Sequence, residues 1–262
     1  MKILVTGPCG FVGARIMHMT AGAIASPSIR NMDESAVRQL VESVQPELVV
    51  HTAAVSDISA CDRDPEASRR ANVLLPCWLV KTGVKCVIFS SDQVYSACKG
   101  DGPYAEGEVC PGNLYARQKL EMEEKTLAIN PDTVLLRATW MYDMPIYGLR
   151  NRGNFLMNML TRPENAFSAT QHRAVTYVRE VAAWIPQAAQ LPGGAYNYGS
   201  ENDLTALKTA QWLKDRLHLP VRLSDAGQQH HLWMDCAKAK AGGIHFENTV
   251  GGLEKCIRDY GL

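Results

Sequence analysis

The N-terminal segment Met1-Lys-Ile-Leu-Val-Thr-Gly-Pro-Cys-Gly-Phe-Val-Gly13 limits what this chain can fold into more than any other stretch. Ile3, Leu4 and Val5 make an apolar run long enough for a buried strand and too short for a helix. Gly7, Gly10 and Gly13 follow at a spacing of three, and Ala14 to Met19 continues in helical register. Strand, glycine turn and helix start, in that order, form a cradle for phosphate. Gly7 permits the tight turn, Gly10 lets the backbone approach a pyrophosphate, and Gly13 lets the helix pack on the strand. The first helical turn, at Phe11 and Val12, aims free N–H groups at the anion. The spacing is G-x-x-G-x-x-G where the usual dinucleotide fingerprint is G-x-G-x-x-G. The agreement is therefore one of mechanism, and glycines also mark ordinary loops.

A chain of 262 residues forms one large domain or two small ones, with ample material for a core. Hydrophobic content of 46% and charged content of 21% describe a soluble globular protein. Lys plus Arg and Asp plus Glu balance at 27 each, which argues against a nucleic-acid partner. The apolar runs are only strand-length, so no membrane span is expected. Met1-Lys2 leads straight into the first strand, leaving no room for a signal peptide and predicting a cytoplasmic protein. Eight cysteines without a C-x-x-C pair read as free thiols in a reducing compartment. His230-His231 with Asp235 and Cys236 fit no known ligand spacing, so no metal is expected.

The chain then alternates. Ala23 to Ala25 reads as a short second strand, and Asp33 as the cap of a helix through Val44, with Val37, Leu40, Val41 and Val44 on one face. Leu48 to His51 is a buried strand; Asp64-Pro65-Glu66 opens a helix that Pro76 should kink. Cys86 to Phe89 is the fourth strand, with Ser90-Ser91-Asp92 at its end. A polar loop over 96–113 precedes a helix from Leu114 to Ile129 and a strand from Val134 to Arg137. This rhythm predicts an α/β fold of the Rossmann type, a doubly wound parallel sheet with helices on both faces. Ligands belong at the C-terminal strand ends, where Gly7, Ala53, Ser91 and Thr139 fall.

Beyond Met144 the pattern loosens into a helix over 151–162, an irregular piece to Val175, and a helix from Val178 to Ala189. A strand from Gly194 to Tyr198 follows, then a helix capped by Asp203 or Thr205, a strand over 221–223 and a terminal helix from Val250 to Tyr260. The expected organisation is a dinucleotide-binding domain over 1–145, rejoined by 176–199. A smaller C-terminal substrate-binding lobe takes 146–175 and 200–262.

Tyr115 and Lys119 stand at i and i+4, on one face of a helix. A Tyr hydroxyl titrates near 10 and exchanges protons at neutral pH only with help, such as a nearby ammonium. Y-x-x-x-K arises readily by chance, so the pair carries weight only in company. Ser91, at the end of the preceding strand, is placed to hydrogen-bond a substrate carbonyl beside the Tyr.

Thr6-Gly-x-x-Gly-Phe-x-Gly13, His51-Thr-Ala-Ala54, Ala71-Asn72, Ser90-Ser-Asp-x-Val-Tyr95, Tyr115-x-x-x-Lys119 and Arg137-x-Thr-Trp-x-Tyr142 fall in the order found in the extended short-chain dehydrogenase/reductases, which the sequence resembles. Ser-Asp-x-Val-Tyr, Pro111-x-Asn-x-Tyr115 and Arg-x-Thr-Trp-x-Tyr look most like the dTDP-4-dehydrorhamnose reductase branch. Asn154-Phe155, Thr176-Tyr-Val178, Asp235-Cys-Ala-Lys-Ala-Lys240 and Gly251-Gly-Leu253 are also similar to it. That branch reduces the 4-keto group of a nucleotide-linked 6-deoxysugar with NAD(P)H.

The resemblance implies that Tyr115 donates the proton, and that Lys119 binds the nicotinamide ribose and lowers the Tyr pKa. Ser91 keeps the hydroxyl of a position that is usually Thr. Ala53 and Ala54 would line the cofactor; Ser56, Ile58, Asp92 and Trp140 would face the sugar nucleotide. The alternative for Trp140 is a core aromatic, and Arg137 reads equally as a structural ion-pair partner. Arg173 is the best charged group for a substrate phosphate, against the alternative of a surface arginine. No acid follows the glycines at the distance that selects NAD. Ser26 and Arg30 stand there instead, favouring NADP(H) with NAD(H) as the alternative, unless Arg30 simply points to solvent. The expected partners are a nucleotide sugar and a second copy of the chain in a homodimer.

Several departures stand out. Phe11 is more typical of epimerases and dehydratases, the region between the first helix and third strand is short, and the segments before Thr176 and Asp235 are unusual. A non-catalytic regulator, like the regulatory subunit of methionine adenosyltransferase, and an epimerase or dehydratase therefore stay open. Asp92 followed by Gln93 lacks the acidic pair of dehydratases, and a regulator need not keep Ser91, Tyr115 and Lys119.

Overall fold

In the computed structural model, which describes residues 1–148 and 153–262, six parallel strands form the central sheet. They are β1 (Ile3–Thr6), β2 (Ala23–Ala25), β3 (Leu48–His51), β4 (Lys85–Ser91), β5 (Val134–Ala138) and, after β6 (Trp140–Tyr142), β7 (Glu164–Phe167) and β8 (Val175–Tyr177), β9 (Gly194–Tyr198). The order is β2-β1-β3-β4-β5-β9. Chain direction across the sheet therefore reverses between β1 and β3, the crevice where open α/β sheets bind ligands. The short span between the first helix and β3 explains why the sheet ends at the three-residue β2.

Both faces are covered. Ile3, Val5, Val50, Val87 and Leu136 point into one apolar layer with Ile16, Val178 and Ile185. Leu4, Val49, Ile88 and Leu135 point into the other, against Val37, Leu79 and Met122. Neighbouring residues of the strands thus serve opposite layers, as the period-2 geometry of a strand requires, and both layers are built from buried apolar side chains.

Asp33 caps the helix Glu34–Val44 through Ala36 N, and Asn113 caps Leu114–Ile129 through Ala116 N. The kink expected at Pro76 lies just upstream, as a π-helical turn over Arg70–Leu74. Proline lacks the N–H that would bond four residues back, and the wider turn accommodates that loss. A helix Ile58–Arg63, capped by Asp57, fills a stretch to which the sequence pattern assigns no element. The helix expected from Val178 to Ala189 divides into Val178–Ala183 and Ile185–Ala188 around Trp184, beside Pro186. Thr205, not Asp203, caps the helix Ala206–Arg216. The helix expected over 151–162 is Phe155–Thr161, capped by Asn154; its expected first two residues lie outside the described residues.

After β5 two small parallel pairs form, β6 with β8, and β7 with β10 (Arg222–Asp225). Around them Tyr142, Phe155, Tyr177, Leu213, Val221, Leu253 and Ile257 make a separate apolar cluster. A buried ion pair joins it to the first helix: Arg15 Nε donates to Asp143 at 3.0 Å, and Tyr260 donates to the other carboxylate oxygen at 2.8 Å. Among the described residues no helix is long and apolar enough to cross a membrane.

Candidate active site

The glycine turn is built as a close approach of backbones. Gly7 has φ +69°, where a side chain is strained. A Cβ at Gly13 would lie 2.1 Å from the Gly7 carbonyl oxygen, so the helix touches the turn through bare backbone. Gly10 is exposed and caps the helix Phe11–Met19 without a side-chain acceptor. The N–H groups of Phe11 and Val12 thus open the helix beside a surface with no side chain in the way. This donor set and its clearance fit a pyrophosphate. Phe11 packs under Arg15, whose guanidinium is 4.3 Å from the ring centroid.

Opposite the turn, the loop after β3 is held from two sides. Thr52 Oγ1 donates to the Thr6 carbonyl at 2.7 Å, and Ala53 N lies 3.0 Å from where a Cβ of Gly7 would sit. Asn72, in the π-helical turn, accepts from Val55 N at 2.9 Å and donates to the Val55 carbonyl at 3.0 Å and to Gln118 at 2.9 Å. It fastens the Ala53–Ala54 loop to the helix that bears Lys119. The Ala71-Asn72 motif was visible in the sequence; the clamp was not. Ser56 and Ile58 follow on this loop and the start of the next helix, both exposed.

Tyr115 and Lys119 are buried on one face of the helix Leu114–Ile129. The Tyr115 phenol is in hydrogen-bond contact with Ser91, whose hydroxyl also donates to Asp92 at 3.2 Å. Lys119 Nζ donates to the Phe89 carbonyl at 2.7 Å. Burial pushes the phenol well above its ordinary pKa, opposed by the Ser91 contact. The Lys119 ammonium lies 5.9 Å from the Tyr115 ring centroid, one helical turn along the same face. Burial also lowers Lys119, to about 8, against the opposing pull of Glu123. His51, which the sequence offers only as part of the His51-Thr-Ala-Ala54 motif, is buried at the end of β3 with Nδ1 2.7 Å from Thr6 Oγ1. Burial, and then the Lys119 charge, hold it neutral, with a pKa of about 3.

The substrate candidates divide. Arg173 donates to Asp92 at 3.3 Å and lies 5.4 Å from the Trp140 ring centroid, so three substrate candidates distant in sequence meet beside Ser91. Arg173 Nε is buried and without a partner among the described residues. Arg137 is structural. It is buried, pairs with buried Glu123 at 2.6 Å and donates to Tyr95 and to the Glu106 carbonyl, so most of its donors are spent inside the fold. Ser26 is buried at the end of β2, its hydroxyl donating to the Pro27 carbonyl, and Arg30 is exposed just beyond.

A profile of the RmlD substrate binding domain matches residues 1–232. The chain is 30% identical over 154 residues to dTDP-4-dehydrorhamnose reductase of Mycolicibacterium smegmatis, a match covering 54% of this chain and 46% of that protein. It is 27% identical over 274 aligned positions to methionine adenosyltransferase 2 subunit beta of Danio rerio, covering 96% and 80%. Among solved structures, dTDP-4-dehydrorhamnose reductase of Bacillus anthracis in complex with NADP superposes with a TM-score of 0.85 at 18% identity, over 99% of each chain. The chain belongs to the RmlD substrate binding domain family, within the extended short-chain dehydrogenase/reductase type.

Proposed function

We propose that this protein is an NAD(P)H-dependent reductase of a nucleotide-linked 4-keto-6-deoxysugar, with dTDP-4-dehydrorhamnose the leading substrate. The observation that carries this reading is the contact of a buried, neutral Tyr115 phenol with the Ser91 hydroxyl, at the strand edge that also holds the glycine cradle. A reductase needs its acid protonated before reaction, and burial keeps this one so. The fold neighbour solved with NADP and the branch relatives support the same chemistry.

Gly7, Gly10, Phe11, Val12 and Gly13 would hold the pyrophosphate, with Ala53 and Ala54 along the other side. Ser26 and Arg30 would meet the adenosine ribose, a hydroxyl and a cation suited to a 2′-phosphate, so NADPH is favoured and NADH tolerated. When bound, the nicotinamide supplies the hydride. Lys119 releases Phe89 to hold the nicotinamide ribose, and Ser91 orients the keto oxygen. Tyr115 gives that oxygen its Oη proton, completing the alcohol. Trp140 packs on the sugar, and Arg173, with its unpartnered Nε, binds the diphosphate.

Purified protein should oxidise NADPH when offered dTDP-4-dehydrorhamnose among a set of nucleotide-4-ketosugars. A relative aligned over nearly the whole chain is a subunit of methionine adenosyltransferase, which motivates one rival. Tight NADPH binding with no turnover of any ketosugar would favour that non-catalytic reading.

A further inference from the structure

The loop over 96–113 leaves Ser91's turn and returns to Tyr115's helix, and its two limbs are joined at the neck. Ala97 N donates to the Cys110 carbonyl at 2.8 Å, and Cys110 N to the Val94 carbonyl at 2.7 Å. Cys98 N donates to the Tyr95 carbonyl at 3.0 Å, so both cysteines are pinned by backbone on opposing limbs. Tyr95 and Tyr104 stack beneath them with centroids 5.4 Å apart, and Cys98 packs on that cluster. The Cys98 and Cys110 thiols are in side-chain contact, and both line a cavity of about 360 Å³ with Lys99, Tyr104 and Glu108. Cys110 is exposed and Cys98 half-buried. Five of the other six cysteines are buried, leaving Cys9 as the other exposed thiol.

We propose that Cys98 and Cys110 are a vicinal dithiol that a low-molecular-weight disulfide, such as oxidised glutathione, converts reversibly into an intramolecular disulfide. Accessible Cys110, as thiolate, attacks one sulfur of the small disulfide and expels one glutathione thiolate, which takes up a proton. Cys98 loses its proton, attacks the Cys110 sulfur and expels the second glutathione. Two protein thiols are oxidised to one disulfide, and one small disulfide is reduced to two thiols. Burial raises Cys98's thiol, so exposed Cys110 is the one that makes the first attack. The bond staples the neck of a loop whose Tyr104 and Glu106 hold β9 and the C-terminal segment through Asn197 and Trp233. This site stands apart from the reductase reading and survives if that reading fails.

The experiment treats reduced full-length protein with oxidised glutathione, then alkylates and maps it by mass spectrometry. The expected product carries no intermolecular disulfide, has lost two hydrogens, yields a peptide linking Cys98 to Cys110, and returns to the starting mass with dithiothreitol. Its Tm should rise by roughly 5 °C, since the cross-link restricts the unfolded chain. C98S should stop at a stable glutathione adduct on Cys110, whereas C110S should leave Cys98 unlinked. Both are near-isosteric, and their reduced Tm values report whether they fold. A linkage through Cys9, a persistent mixed disulfide in the wild type, or eight thiols after oxidation would overturn the proposal.

Discussion

Lys119 stands one helical turn beyond Tyr115, and its Nζ, 5.9 Å from the ring centroid, donates to the Phe89 carbonyl at 2.7 Å. A pairing that sequence spacing reads as phenol and ammonium is thus, in this structure, a phenol against Ser91 and an ammonium against a strand. Each group is displaced from its ordinary pKa chiefly by burial, the phenol upward and the ammonium downward.

The Lys119 shift has a stability consequence. Its folded pKa of about 8 lies below the ordinary 10.5, so between those values the unfolded chain binds more protons and stability rises with pH. Below pH 8 the full cost of burying the charge is present, roughly 3 kcal/mol. Lys119→Met should therefore have a Tm at pH 7 equal to or above the wild type despite losing the Phe89 hydrogen bond. Its advantage should shrink toward pH 10. Melting curves across pH 7–10 check this, and a clear Tm loss at pH 7 would contradict it.

Gly10 and Gly13 should separate binding from folding. Gly13→Ala forces a Cβ to 2.1 Å from a carbonyl oxygen, and its Tm should fall markedly. At Gly10 the corresponding contact, also to the Gly7 oxygen, is 3.1 Å and the outer side is open. Gly10→Val should stay folded while NADPH affinity drops about tenfold or more. Fluorescence titration with unchanged affinity would mean that the cofactor lies elsewhere.

Arg173→Ala should raise KM for the nucleotide sugar by about tenfold or more and leave kcat within a few-fold, as loss of uniform binding does. Steady-state kinetics distinguish this from a structural role through Asp92. If the Arg173–Asp92 bond serves only packing, Asp92→Asn should reproduce the whole effect.

Asp143→Ala leaves Arg15 charged and buried, with Tyr260 also deprived of its acceptor. Removing one partner of a buried pair costs about 3–5 kcal/mol. Calorimetry should show a Tm loss of roughly 10 °C, at the usual few degrees per kcal/mol for a domain this size. A loss under 2 °C would show that the link between the first and last helices matters little.

Much of this architecture is legible in the sequence because the sheet is doubly covered. Ile3-Leu-Val5, Leu48-Val-Val50 and Cys86-Val-Ile-Phe89 are strand-length apolar runs, and Asp33 and Asp64 mark helix starts by local chemistry. The glycine cradle is equally local, since each of its contacts spans a few residues or one strand neighbour. What escaped is long-range. The Arg15–Asp143 pair joins residues that no periodicity relates, and Asn72 acts through Val55 and Gln118. The helix Ile58–Arg63 is too short for a pattern. Arg137 shows the limit from the other side. Its motif placed it at a strand end, but only the buried Glu123 one turn beyond Lys119 decides that it serves structure.

The proposed function stands or falls on Tyr115 as the proton donor in ketosugar reduction. The direct measurement is the rate of NADPH oxidation by Tyr115→Phe with saturating dTDP-4-dehydrorhamnose, alongside NADPH affinity by titration. The rate should fall to at least about 100-fold below the wild type, with NADPH affinity unchanged. A Tyr115→Phe protein that reduces the ketosugar at nearly the wild-type rate would contradict it.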